Sequence, residues 1–198
     1  RPVYGEFGSP DPSGLLTRLR APQVTDNPAV VMSRHGSRWF AVSETPKLTY
    51  FDARTLATEE RVDLGATPAR LHLMAAHGCT LDDGSYLNVA TALGPKCETK
   101  LFRLAPGATQ ARVIARIRMP KSGYTHGFGL APGHAVVWET ALRAQPLAFR
   151  FGGKSYADNF RWEPAHGSAI HAVALDGGAV RSWRIPPMVI SLVARDST

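Results

Sequence analysis

Fifteen prolines and eighteen glycines are spread along the 198 residues without clustering, and they cut the chain into short segments. Proline removes a backbone donor and glycine weakens helix interiors, so a chain divided this finely favours strands and turns over long helices. Strand-forming runs fall between the cuts. Val30 to Ser33 and Trp39 to Ser43 flank a turn containing Gly36, Leu48 to Phe51 follows, and a turn from Asp52 to Leu56 leads into Glu59 to Val62. Three or four short strands in about 35 residues match one blade of a β-propeller.

The pattern recurs through Tyr86 to Ala90 after the Asp83-Gly84 turn, Leu101 to Leu104, Val113 to Arg118 and Ala135 to Trp138 after Pro132-Gly133. Ile170 to Leu175 and Val180 to Ile185 flank Asp176-Gly177-Gly178, a further hairpin signal. At about 40 to 50 residues per blade, the expectation is an all-β domain over residues 1–198 holding about four blades. Thr67 to Ala76 is the best candidate for a short helix.

Composition narrows the partners. No apolar run approaches the roughly 18 residues that span a bilayer, so a transmembrane reading is set aside. The formal charge is +7, but the basic residues are dispersed. Arg112, Arg116 and Arg118 form at most a stripe on one strand face, without the interleaved aromatics of a nucleic-acid surface. The sequence starts at Arg1 without an initiator Met and without signal-peptide features, which leaves the compartment open between a plastid membrane complex and the cytoplasm. Cys79 and Cys97 are the only cysteines and form no Cys-x-x-Cys pair, consistent with two thiols in a reducing compartment or with one disulfide.

Phosphate-loop, nucleophile-elbow and His-Glu-x-x-His signatures are missing, and Gly127-Phe128-Gly129 is not completed as a dinucleotide-binding motif. The histidines remain. His35 and His134 sit at turns and are expected to face solvent, whereas His72 and His166 have no distinguishing context. His77, in Met74-Ala75-Ala76-His77-Gly78, and His126, in Tyr124-Thr125-His126-Gly127-Phe128-Gly129, stand 49 positions apart, about one blade. Equivalent positions on successive blades converge on a propeller axis. One histidine per blade can therefore build a metal site with no local motif, although two hydrogen-bonded structural histidines would give the same pattern.

A resemblance weighs on that choice. Phe7-Gly8-Ser9-Pro10-Asp11-Pro12, Leu16-Thr17-Arg18, Val24 to Val30, Ser43-Glu44-Thr45-Pro46, Ala76-His77, Tyr124 to Leu130, and the stretch Tyr156, Asp158, Phe160 to Pro164 and Gly167 stand in the order found in the carotenoid cleavage oxygenases, and the chain resembles that family over nearly its whole length. The resemblance implies a seven-bladed propeller, here incomplete, whose axis holds a non-haem Fe(II) on four histidines and splits a carotenoid or apocarotenoid double bond. It implies His77 and His126 as ligands and Glu44 as the carboxylate that fixes an imidazole tautomer. Phe128 would line the site or serve as a plain core aromatic.

The pattern then breaks. The family's third ligand belongs to a Phe-His-His segment after an apolar strand, but here Pro187-Met188-Val189-Ile190 is followed by Ser191-Leu192-Val193-Ala194-Arg195. The blade expected to supply the fourth histidine is missing as well, so Fe(II) is expected to be incompletely held or absent. Three readings follow. The chain is a catalytically inactive structural or pigment-contacting subunit whose open propeller edges other protein subunits cover. Alternatively it is an oxygenase completed by a separate or missing C-terminal part, or a propeller that binds proteins through an exposed face.

Overall fold

A computed structural model of the chain describes residues 30–94, 97–151 and 157–189. The first 29 residues, with three of the motif segments above, lie outside the described residues, as do Tyr156 and the Ser191 to Arg195 segment.

Three antiparallel sheets follow one another along the chain. The first is a meander of β1 (Val31–His35), β2 (Arg38–Val42), β3 (Lys47–Phe51) and β4 (Thr58–Asp63). The second joins β5 (Leu73–Met74) and β6 (Cys79–Thr80), both paired to β7 (Tyr86–Ala92), and continues through β8 (Cys97–Leu104) and β9 (Arg112–Met119). The third runs β10 (Gly129–Ala131), β11 (His134–Glu139), β14 (Ser168–Ala174), β15 (Val180–Ile185). Between β11 and β14 the chain inserts the ribbon of β12 (Leu142–Ala144) with β13 (Phe160–Trp162) and one short helix, α1 (Pro146–Phe151). Each sheet is one blade, so three of the expected blades fall among the described residues.

The middle blade is packed on both faces, and its side chains divide by strand parity. Tyr86 and Ala90 of β7 point toward the first blade and join Phe40, Leu48, Tyr50, Leu64, Leu71, Phe102 and Leu104. Leu87 and Val89 point the other way and meet Leu101, Ile117, Phe128, Ala135, Val137 and Val173. With two apolar layers to satisfy, β7 carries a continuous buried run where a one-faced strand would alternate. Phe40 and Tyr86 meet edge to face at 4.9 Å between ring centroids and lock the first layer.

Turn chemistry sets the hairpins. Gly36 (φ 59°) and Gly84 (φ 78°) occupy left-handed conformations that other residues adopt only with strain, and Gly36 N–H donates to Gly84 O, tying the turns of neighbouring blades together.

Two sequence expectations are corrected here. Thr67 to Ala76 forms turns and then β5, because Leu73 and Met74 pair with β7 and complete the sheet while Leu71 and Met74 fill the layer between two blades. His35 is 3% exposed: it closes β1, with Nδ1 hydrogen-bonded to the Tyr50 hydroxyl (2.7 Å) and Nε2 donating to Ala105 O. Its strand continues two residues past the point where sequence placed the turn. His134, by contrast, is exposed as expected.

Candidate metal centre

Three successive blades each contribute one residue to a single row of side chains, Glu44, His126 and His77. Glu44 comes from the loop between β2 and β3, His77 from the break between β5 and β6, and His126 from the segment entering β10. Backbone bonds hold the segments in register. Met74 N–H donates to Glu44 O (2.9 Å), and His77 N–H donates to His126 O (3.2 Å) beside a parallel bridge between His77 and Gly127.

The imidazoles face each other through Nε2, 3.2 Å apart, with ring planes inclined at 68°. His126 Nδ1–H donates to Glu44 Oε1 at 2.7 Å and lies 3.0 Å from the Tyr124 oxygen, while the Tyr124 O–H donates to the same Glu44 oxygen. A carboxylate on Nδ1 keeps the proton there and turns the Nε2 lone pair toward His77. Tyr124 stacks on the His126 ring and meets Phe160 edge to face, so its position is also fixed by packing. Burial first, and then its bond to Glu44, hold the Tyr124 phenol well above its ordinary range, so it remains a donor.

The spacing suits a metal. Two imidazole nitrogens on adjacent positions of a divalent ion, with bonds of about 2.1 Å, stand about 3.0 Å apart at a right angle and about 3.4 Å apart at a tetrahedral angle. The observed 3.2 Å lies between these values and is equally the length of the hydrogen bond that joins the two rings. Among the described residues no group of three or more His, Cys, Asp or Glu side chains is arranged to hold an ion.

Phe128 is buried in the layer between the second and third blades and also lines a cleft of about 620 Å³ that reaches His77. Met32, Trp39 and Leu130 give the cleft apolar walls, with Arg34 and Asp82 among its polar lining. Cys79 shares that lining with His77, and Cys97 is buried.

A second polar cluster was not legible in the sequence. Glu139 on β11 pairs with Arg143 and, at 3.2 Å, with His171 Nε2, while His171 Nδ1 bonds Ser182 Oγ at 2.8 Å. Arg143, nearly fully buried, also donates to Lys121 O and Gly167 O, and its Nε has no partner. The registers of β11 with β14 and of β14 with β15 bring Glu139, His171 and Ser182 together.

Comparison with known proteins decides the family. The family model of the retinal pigment epithelial membrane protein matches residues 1–191. The chain belongs to the carotenoid cleavage oxygenase family. Among curated relatives, rat β,β-carotene 15,15'-dioxygenase is 27% identical over 173 residues, covering 74% of this chain and 30% of that protein. The chloroplastic carotenoid cleavage dioxygenase 8 homolog A of rice is 27% identical over 204 residues, covering 96% and 36%. This family chain therefore spans about a third of the length of those relatives. Cobalt-substituted Synechocystis apocarotenoid oxygenase superposes with a TM-score of 0.66 at 19% identity, covering 94% of this chain and 40% of that one. That likeness shows the fold: a propeller of the seven-bladed carotenoid-oxygenase type, incomplete in this chain.

Proposed function

We propose that His77 and His126 are two imidazole ligands of a non-haem iron centre, and that this chain, taken alone, serves as a structural or pigment-contacting part of a larger assembly without cleaving carotenoids. The single observation behind the reading is the facing Nε2 pair with Glu44 on the far nitrogen of His126. The carboxylate fixes the proton on Nδ1 and leaves the Nε2 of His126 as an electron-pair donor, the form a metal ligand requires. Iron, when bound, would supply the activation of dioxygen for splitting a conjugated double bond. The chain's own residues hold the metal-facing lone pairs and keep the Nδ1 proton on His126. The carotenoid and apocarotenoid chemistry named for the relatives supports a polyene as the substrate class, and the apolar side of the cleft suits one.

Two neutral imidazoles leave most of a ferrous coordination sphere to water, which makes for weak binding and poor placement of a substrate. Exposed Trp183 and Val180 on β15 and Met32 on β1 offer apolar contacts to covering protein subunits. The test is Fe(II) binding and apocarotenal formation by the purified chain. Saturable binding of one ion, lost in His126→Ala, with no product, is the expected result. Product formation by the chain alone, or the same binding in His126→Ala, overturns the reading.

The retained Glu44–His126 pair also favours a second reading, in which another polypeptide completes an active oxygenase. Adding such a polypeptide would then restore cleavage in the unaltered chain and fail to do so in His126→Ala.

A further inference from the structure

We infer that Asn88 and Tyr86 are positioning residues for His77, forming a buried clamp that presses the histidine out of its sheet; as a statement about a metal ligand, this rests on the function proposed above. The pairing shows why a clamp is needed. Met74 pairs with Ala90 and Cys79 with Leu87, so the four residues Ala75 to Gly78 stand opposite only Asn88 and Val89. Two surplus residues push the strand away from β7, and His77 sits at the crest of that bulge. A bulge takes backbone groups out of the ladder, and buried ones must find other partners.

Asn88 supplies one of them. Asparagine is disfavoured in strands and costly to bury, yet this one is 0% exposed in the strand packed on both faces. Its Nδ2 donates to Ala75 O and to the Tyr86 hydroxyl, both at 2.8 Å, and its Oδ1 accepts from Val89 N–H at 2.7 Å. The side-chain amide is used on both its donor and its acceptor sides. The Tyr86 hydroxyl in turn lies directly against the Gly78 backbone. One pair of buried side chains therefore touches both ends of the bulge: Asn88 bonds the Ala75 carbonyl, and the Tyr86 hydroxyl packs against Gly78.

Gly78 completes the fit. A Cβ there would overlap the Tyr86 hydroxyl, so the phenol reaches the backbone only because this residue has no side chain. Phe40, edge to face on the Tyr86 ring, and Tyr50 beyond it anchor the clamp in the layer between the first two blades. Above the clamp, the bond from His77 N–H to His126 O sets the height of the two rings.

The test uses the whole chain with Co(II) as the probe and two variants, Tyr86→Phe and Asn88→Ala. Tyr86→Phe keeps the ring and removes only the hydroxyl, so it reports even where Asn88→Ala does not fold. Co(II) affinity is expected to fall about tenfold in the folded variants, the lower end of what loss of a supporting partner costs a metal site. Hydrogen-exchange protection of the His77 amide, read without metal, is expected to fall by a similar factor while the β8 amides keep theirs. Affinity and His77 protection both within twofold of the unaltered chain would overturn the clamp. Reduced His77 protection in a chain whose unaltered form binds no Co(II) would uphold the clamp and overturn the metal reading.

Discussion

One oxygen of Glu44 accepts two hydrogen bonds, from the Tyr124 hydroxyl and from His126 Nδ1. A neutral amide in its place still accepts a bond but carries no charge to favour the proton on Nδ1. Glu44→Gln is therefore expected to weaken Co(II) binding about tenfold, measured by titration of the visible cobalt bands, with the fold unchanged by circular dichroism. Unchanged affinity would remove Glu44 from the site. At this scale His77, His126 and Glu44 were legible because ordered family motifs carry them. Tyr124 was visible only as a motif letter. Asn88 and Tyr86 carried no signal, since what distinguishes a clamp from an ordinary strand residue is the two-residue mismatch opposite it, and that depends on register.

Among the elements, the third blade contains a buried charge network that links β11, the start of β12, β14 and β15. Burial alone would raise the Glu139 carboxyl, but hydrogen bonds from His171 and Arg143, with their charges, bring it net below its ordinary 4.5. Because the folded value is the lower one, the stabilisation is complete above about pH 4.5 and is lost as pH falls through the depressed folded value. Glu139→Ala leaves the Arg143 guanidinium buried without its carboxylate, a loss of about 3 to 5 kcal/mol near neutral pH. Urea unfolding at pH 7 and again below pH 4 checks this: the gap between the two proteins should narrow in acid, and a gap independent of pH would contradict the network. Strand positions were readable from sequence because glycine turns and β-branched runs mark them directly, as Val180 to Ile185 illustrates. Helical placement was not. Thr67 to Ala76 has local spacing that suits a turn of helix, and the demand for Leu71 and Met74 between two blades overrides it. The helix at Pro146–Phe151 is a single short element inside an insertion, below the length at which periodicity is informative.

Across the whole molecule, the middle blade is sealed on both faces while the third blade ends in a strand whose residues are nearly all exposed. Among the described residues this outer strand presents backbone groups along its edge, and Trp183 at 52% exposure adds apolar surface beside them. The blade repeat was legible from turn spacing, whereas the convergence of Glu44, His77 and His126 from three blades is a property of how successive blades pack that no local window contains. That convergence is the central claim, and X-ray absorption of the Co(II)-loaded chain tests it most directly. The account predicts a coordination shell with two imidazole nitrogens at about 2.1 Å and oxygen atoms in the remaining positions, falling to one imidazole in His77→Ala. A shell without imidazole, or one unchanged in His77→Ala, would contradict it.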